Sequence, residues 1–327
     1  MDQLQYILIC DYGGTKHSAA LLPLRWNEWL AVERVQAPPG ADADCDQELM
    51  NNLALQLLQA HPGTLLAIGV SFGGPVDFGS GTVRLSHHVP GWENVPLRDK
   101  LEKRFGVPAV IDNDANMAAL GEWSHGAGKG ADSLLYVTIS TGIGGGWILN
   151  GRIFRGFDGM AGEIGHMVIH PGGALCDCTK RGCLEAEACG RAIGRKASQW
   201  LREGRQAPRL LEKSGGNPAG ISAAMVAEAA REQEEFSRNL LDEAASFLGQ
   251  GLATAINLIN PECIVLGGGV TKAGPFYWQT VRRTTQENVL APMRVDIRPA
   301  ALGDDAPLWG AATMAEQMVE ELPSIKL

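Results

Sequence analysis

The chain of 327 residues is 45% hydrophobic and 20% charged, which lies in the globular range and suffices for one large or two ordinary domains. Its formal net charge of −9 disfavours contact with a phosphate backbone, so we expect no nucleic-acid partner. No apolar run reaches the length of about 18 residues that spans a bilayer, and no secretory signal pattern opens the chain. The seven cysteines show no disulfide-like spacing, so a cytoplasmic protein without a membrane partner is expected.

Two strand–turn–strand patterns with glycine-rich turns occur far apart in the chain. In the first, residues 6–10 form an apolar run, residues 11–16 form a turn, and residues 17–24 resume a strand-like pattern. Residues 134–149 repeat the same order around a turn at 140–146. This repeat predicts two duplicated α/β domains, each opening with a hairpin whose turn faces the gap between them.

Each of these two turns is followed by a strand, whereas the common nucleotide-binding loops are followed by a helix. Backbone N–H groups in tight glycine turns can nevertheless surround phosphate oxygens. Thr15 and Thr141 add hydroxyl donors, and Lys16 adds positive charge. Two such turns facing each other would suit a triphosphate, while each turn alone is also compatible with an ordinary glycine-rich hairpin.

A strand ends and a helix begins within residues 110–122, where Asp112, Asn113 and Asp114 are followed by Asn116. Asp and Asn favour helix N-termini, so capping is one interpretation of this cluster. One cap suffices for a helix, however, and a carboxylate near a helix N-terminus can accept a proton from a substrate hydroxyl. The sequence therefore indicates Asp114 as a general base.

The segment 161–185 combines potential metal ligands with carboxylates. Three cysteines spaced C-x-C-x4-C follow a histidine, and three thiolates with one imidazole complete a tetrahedral Zn2+ shell. A shell with no position left for water predicts a structural metal, although cysteines that only pack in the core are an alternative. The ligand set is His166, Cys176, Cys178 and Cys183, and the nearby carboxylates are Glu163 and Glu185.

A third run of glycines follows a helical pattern at residues 239–260, which Pro261 ends, and a buried strand at residues 263–266. The run consists of Gly267, Gly268 and Gly269. Because α/β proteins commonly bind ligands at the carboxyl ends of strands, this position predicts an adenosine contact. A plain strand-to-helix turn is the alternative.

Several motifs occur along the chain in a fixed order. They are DYGGTK at 11–16, GVSFGGPVD at 69–77, PGWENVPL at 90–97, NDAN at 113–116, STGIGGG at 140–146, GEIGH at 162–166, the cysteine segment at 176–185 and GGG at 267–269. In number and order they resemble the ROK family (repressors, open reading frames and sugar kinases), specifically its glucokinase-like, zinc-containing branch, over essentially the whole chain. The chain departs from that branch at Thr179, where glycine is common, but the ligand spacing is intact.

The resemblance implies an α/β protein with a two-lobed, actin-like ATPase (ribonuclease H-like) fold. A deep cleft would separate the lobes, with ATP on one side and a hexose between them. The expected small lobe comprises residues 1–115 plus 301–327, because an alanine-rich stretch near the C-terminus resembles the helix that returns to that lobe. Residues 116–300 would form the large lobe with the zinc-binding loop.

The resemblance also implies a role for each matching residue. Asp114 would be the catalytic base on the sugar 6-hydroxyl, Asp11 would orient Mg2+, and His166 would contact both zinc and sugar. The sugar-binding set is Gly74, Asn113, Asp114, Glu163, His166 and Glu185. The set expected to bind ATP with its Mg2+ is Asp11, Gly13, Gly14, Thr15, Lys16, Thr141, Gly142, Gly267, Gly268 and Gly269.

The implied activity is ATP-dependent phosphorylation of an aldohexose, D-glucose above others, at the 6-hydroxyl, with ATP, Mg2+ and a structural Zn2+. N-Acetylmannosamine or N-acetylglucosamine is the alternative substrate, and a non-catalytic sugar-responsive regulator is the alternative class. The regulators of the family carry an added N-terminal helix-turn-helix ahead of the part that resembles this chain. Here the first strand is expected to start by Tyr6, which would leave no room for such a helix-turn-helix. A homo-oligomer, either a dimer or a tetramer, is also expected.

Overall fold

The structure is a computed structural model that describes residues 4–14, 16–86, 89–294 and 296–321. Its strands are β1 (Gln5–Tyr12), β2 (Lys16–Pro23), β3 (Ala31–Gln36), β4 (Thr64–Phe72), β5 (Val76–Asp77), β6 (Thr82–Val83), β7 (Ala109–Asn113), β8 (Ser133–Ile139), β9 (Ile143–Leu149), β10 (Arg152–Phe154), β11 (Cys263–Gly267) and β12 (Ile297–Pro299). Its α-helices are α1 (Ala43–Ala60), α2 (Leu97–Phe105), α3 (Asp114–Ser124), α4 (Leu184–Ala188), α5 (Gly190–Arg202), α6 (Pro208–Lys213), α7 (Ala223–Arg231), α8 (Glu235–Ile259), α9 (Pro275–Asn288) and α10 (Ala306–Glu321). Short 3-10 segments lie at Ile164–His166, Pro218–Gly220, Gly269–Ala273 and Gly303–Asp305.

Two five-stranded sheets share one topology. Their strand orders are β3-β2-β1-β4-β7 and β10-β9-β8-β11-β12. In each sheet the central strand, β1 or β8, pairs antiparallel with the strand that follows it and parallel with the strand on its other side. The repeated strand–turn–strand pattern in the sequence is therefore part of a repeat of whole sheets.

Residues 6–10 of the first strand form an apolar run because both faces of their sheet are covered. Tyr6, Leu8 and Cys10 pack on the side of α1, while Ile7 and Ile9 pack on the side of α10. Successive side chains of a strand point to opposite faces, so a strand buried on both faces reads as a continuous apolar run.

The two sheets share one hydrophobic core, built around α3 and α10. This core contains side chains from both central strands as well as from both helices. Glycine allows the helices to approach: a Cβ on Gly121 would collide with the carbonyl of Ala306, and a Cβ on Gly310 would collide with that of Met117. The boundary predicted between residues 115 and 116 falls inside α3, and the division into lobes stays a prediction.

The sheet register brings the ends of three parallel strands together. Tyr12 at the end of β1 pairs with Phe72 at the end of β4, which pairs with Asn113 at the end of β7. The first residue of α3, Asp114, follows at once. The first half of the chain thus presents strand ends, a hairpin turn and a helix N-terminus at one edge, where α/β proteins bind ligands.

Among the described residues, no helix is both long and apolar enough to cross a bilayer. The long helix expected at residues 239–260 is α8, which ends at Ile259 with Asn260 in the left-handed conformation.

Candidate active site

Two neighbouring polar side chains, Asn113 and Asp114, lie at the start of α3, and Asn113 caps the helix. The Asn113 side chain is the N-cap of α3, since its Oδ1 accepts from the backbone N–H of Ala115 at 2.9 Å and of Asn116 at 3.4 Å. Asp114 Oδ1 also accepts from Ala115 N at 2.8 Å. Its Oδ2 lies toward Gly73, where an added Cβ would be 3.8 Å away. The helix is therefore capped without the second oxygen of Asp114.

Three carboxylates interact at this position. Burial, with the negative charges of Asp11 and Glu163, raises the pKa of Asp114 to about 7, even though the hydrogen bond from Ala115 N–H lowers it. Burial also raises the pKa of Asp11, to about 6. A carboxylate with a pKa near neutrality is suited to take up a proton at physiological pH, which is the property required of a general base.

The first half of the chain supplies one wall of the site. A Cβ on Gly73 would lie 3.8 Å from Gly14 N, and Gly73 N–H donates to Tyr12 O at 2.9 Å, so the first hairpin turn abuts the end of β4. Asn113 Nδ2 donates to Gly74 O at 3.1 Å. These contacts bring the predicted residues Gly14, Gly74, Asn113 and Asp114 together.

The remaining residues of the first turn are placed less centrally. Lys16 begins β2, and its Nζ lies 3.8 Å from Asp304 Oδ2 beside the start of α10. Its charge also lowers the pKa of Asp11, so it lies near the carboxylate cluster. Thr15 lies outside the described residues.

The second half of the chain supplies the opposite wall. Glu163 is half-exposed, and its Oε2 lies 3.9 Å from His166 Nε2. Glu185 Oε2 accepts from Ile143 N at 2.8 Å, and a side chain on Gly142 would collide with the same oxygen. Glu185 therefore holds the second glycine turn directly, a contact that the sequence did not predict.

The predicted metal ligands converge in space. One ligand atom each from His166, Cys176, Cys178 and Cys183 lies within 4.8 Å of every other. Cys178 Sγ is 3.6 Å from Cys183 Sγ, and Cys176 Sγ is 3.7 Å from His166 Nδ1. A tetrahedron with Zn–S bonds of about 2.3 Å has edges of about 3.8 Å, so the group fits Zn2+.

Two further features of this loop suit a metal. The backbone N–H of Lys180 lowers the pKa of Cys178 to about 7, which favours the thiolate that binds a cation. His166 directs Nδ1 to the cysteines and Nε2 toward Glu163. Thr179, which stands where the resemblance expects glycine, adopts the left-handed conformation with φ of 72°.

A cavity of about 950 Å3 adjoins the second glycine turn. Its wall includes Ser140 and Thr141 of the turn, Gly269, and residues of α5 and α7. The cationic side chains on it are Arg191, Arg195, Arg202, Arg231 and Lys272. A cavity of this size with a cationic wall can take a nucleotide with its phosphates.

The sequence missed most of this cavity wall, which α5 and α7 contribute. Arg191 is the most connected of the missed residues: its Nη2 lies 2.9 Å from Asp177 Oδ2 and 3.8 Å from Glu185 Oε1. Its Nε donates to Thr141 O at 3.3 Å. The only signal in the sequence was an arginine shortly after the last cysteine of the metal cluster.

The three consecutive glycines serve different purposes. A side chain on Gly267 would collide with Tyr136 Oη, and one on Gly268, which has φ of 88°, would collide with Ile139 O. Close contact with β8 therefore requires glycine at both positions. Gly269, where a Cβ would have open space, lines the cavity.

Comparison with known proteins gives matches along nearly the whole chain. The model of the ROK family matches residues 7–318. A glucokinase of Halalkalibacterium halodurans is 38% identical over 77% of each protein, and one of Thermotoga maritima is 34% identical over 94% of this chain and 96% of the other. A ROK family glucokinase from Streptomyces griseus, solved with glucose and AMPPNP, superposes with a TM-score of 0.82 at 34% identity and covers 95% of this chain and 99% of that one.

Because burial and neighbouring charge both disfavour its ionised form, the Asp114 carboxyl should titrate near neutrality. A carbon-13 NMR titration of the labelled side-chain carboxyl should give a midpoint of about 7. The Glu163→Gln variant should give a lower midpoint, because it removes a charge that raises the pKa of Asp114. A midpoint at the ordinary value for aspartate in the wild type would contradict this electrostatic account.

Proposed function

The chain belongs to the ROK family, and on that basis we propose that it transfers the γ-phosphoryl group of ATP to the 6-hydroxyl of D-glucose. The expected family and the actin-like ATPase fold class are both confirmed. The observation that carries the proposal is Asp114, a buried carboxylate with a raised pKa that interacts with Asp11 and with Glu163 of the opposite wall. The choice of sugar rests on the glucokinase relatives and on the similar glucokinase solved with glucose.

In this proposal, Asp114 accepts the proton of the 6-hydroxyl as the oxygen attacks phosphorus. Asn113, Glu163, His166 and Glu185 bind the other hydroxyls, and the backbone near Gly74 closes the pocket. Phosphoryl transfer depends on alignment and charge neutralisation more than on covalent catalysis, so walls that fix the geometry contribute most of the rate.

The ATP site would combine the first glycine turn with the cavity beside the second. Gly13, Gly14, Thr141 and Gly142 would hold the phosphates through backbone N–H groups, and Gly269 would face the nucleoside. The cavity wall adds positive charge from five Arg and Lys side chains. Mg2+, when bound near Asp11, would supply neutralisation of the phosphate charge.

We propose that Zn2+ is structural. His166 and the three cysteines fill a tetrahedral shell and leave no position for water, so the metal would not activate a nucleophile. Its function would be to hold the loop that carries Glu163 and Glu185 and to fix His166 by Nδ1, with Nε2 left for the sugar.

A cytoplasmic location and assembly into a dimer or tetramer stay predictions. All seven cysteines are free, which suits a reducing compartment.

The proposed reaction is tested by ADP release from Mg-ATP across a panel of sugars. We expect glucose to give the highest kcat/KM, since charged acceptors left unpaired by a misplaced hydroxyl cost about 1–3 kcal/mol each. The panel should contain mannose, galactose, fructose, N-acetylmannosamine and N-acetylglucosamine. A higher kcat/KM for an N-acetylhexosamine than for glucose would identify that sugar as the preferred substrate. If no sugar in the panel stimulates ADP release, the proposed kinase activity is refuted.

The Asp114→Asn variant tests the base. The amide keeps hydrogen-bonding capacity but cannot accept the proton, so kcat should fall on the order of 10²–10⁴-fold while glucose still binds. Asp99→Asn, at an exposed position in the first turn of α2, is a matched control that should retain wild-type kcat. If kcat of Asp114→Asn stays within a few-fold of wild type, Asp114 is not the base.

Elemental analysis of the purified protein should find one zinc per chain. Cys178→Ser should release the metal and raise KM for glucose, because Glu163 and Glu185 lose their support while Asp114 keeps its own contacts. Cys263→Ser, which changes a buried cysteine in β11, should retain the zinc. Absence of zinc from the wild type, together with seven titratable thiols, would rule out the metal site.

A further inference from the structure

Arg155, immediately after β10, joins segments from both halves of the chain. Its Nε donates to Asp112 Oδ2 at 2.7 Å, and its guanidinium carbon lies 3.6 Å from the ring centroid of Phe78. One terminal nitrogen lies 4.0 Å from Met314 Sδ in α10. The guanidinium thus contacts the end of strand β7, the turn after β5 and the C-terminal helix at once.

The carboxylate that Arg155 binds is itself connected to the start of α3. Asp112 is 2% exposed, and its Oδ1 accepts from Asn113 N at 2.7 Å and from Asn116 Nδ2 at 3.0 Å. A buried carboxylate keeps its position only while each oxygen has partners. Arg155 therefore determines the environment of the turn that carries Asn113 and Asp114.

On its C-terminal side, Arg155 leads into the loop that ends at Glu163. Gly156, Gly159 and Gly162 in this loop all have positive φ, at 74°, 84° and 98°. The far end packs closely against β9: a side chain on Gly162 would clash with Gly145 O. The backbone carbonyl of Arg155 accepts from Ala161 N–H at 3.0 Å, so the two ends of the loop are joined at the residue whose side chain binds Asp112.

We propose that Arg155 is a positioning residue for the sugar site, one that fixes the spacing between Asp114 on one wall and Glu163 on the other. This inference rests on the proposed function, because it concerns the same site. The planar guanidinium can stack on a ring and form hydrogen bonds in fixed directions, whereas an ammonium group offers its charge without that fixed geometry. The cavity proposed for the nucleotide is lined by other elements of the chain. A change at Arg155 should therefore affect the binding of the sugar and not the binding of ATP.

The test is a separation of the kinetic parameters for the two substrates. Arg155→Met should lower kcat/KM for glucose on the order of 10²-fold, the loss typical of a displacement of about 1 Å, while KM for ATP stays close to wild type. The kcat/KM of Arg155→Lys for glucose should lie between the values of the wild type and of Arg155→Met. Arg298→Met, which breaks an ion pair with Asp296 at a Nη2–Oδ2 distance of 2.7 Å, is the matched control and should keep wild-type kinetics.

Two outcomes would overturn the inference. One is a folded Arg155→Met enzyme with wild-type glucose kinetics, and the other is an equal rise in KM for glucose and in KM for ATP. Should Arg155→Met fail to fold, Phe78→Leu removes the stacked ring but keeps the buried ion pair, and it should raise KM for glucose without a change in KM for ATP. Wild-type values for both substrates in Phe78→Leu would count against the inference.

Failure of the proposed function can be told apart from failure of this inference. A wild type that releases no ADP with any sugar refutes the kinase, and hydrogen exchange then tests the loop directly. Amides of residues 156–162 should exchange faster in Arg155→Met than in the wild type or in Arg298→Met. Equal exchange in all three proteins would refute the positioning role whatever the activity.

Discussion

The structure depends on the close crossing of α3 and α10, which gives both sheets a common core. Gly121 and Gly310 make the crossing possible, since neither position has room for a Cβ. The buried carboxylate of Glu122 strengthens it by accepting backbone N–H bonds from residues 301 and 302, which lead into α10. Because Asp114 is the first residue of α3, the helix that joins the sheets also sets the position of the candidate base.

The same arrangement brings three carboxylates close to one another. Asp11 enters from the end of β1, Asp114 from the start of α3 and Glu163 from the opposite wall, and their mutual repulsion adds to burial in raising the pKa of Asp114. Like charges in a partly buried site disfavour ionisation, so the site is electrostatically unfavourable until ligands with hydroxyl donors or cations enter it. This cost to stability is typical of a site arranged for binding and proton transfer.

Local patterns in the sequence predicted the hairpins, the long helix and the metal ligands, because strand alternation, helix periodicity and ligand spacing each need only neighbouring residues. The cavity beside Thr141 could not be predicted in this way. Its wall combines a turn, three α-helices and two 3-10 segments from residues far apart in the chain, and no motif describes that combination. Gly267 and Gly268 illustrate the opposite problem: a conspicuous run of glycines is explained largely by packing against β8.

The contacts of Glu185 and Arg191 connect sites that the sequence presents as separate. Glu185 holds the second glycine turn through Ile143 N, and Arg191 reaches both Asp177 on the metal loop and the carbonyl of Thr141. A shift of the loop 176–183 would therefore move the Glu185 carboxylate and the second glycine turn together, since they share hydrogen bonds. A metal held by these four ligands would therefore organise the second glycine turn as well as the loop that carries Glu163.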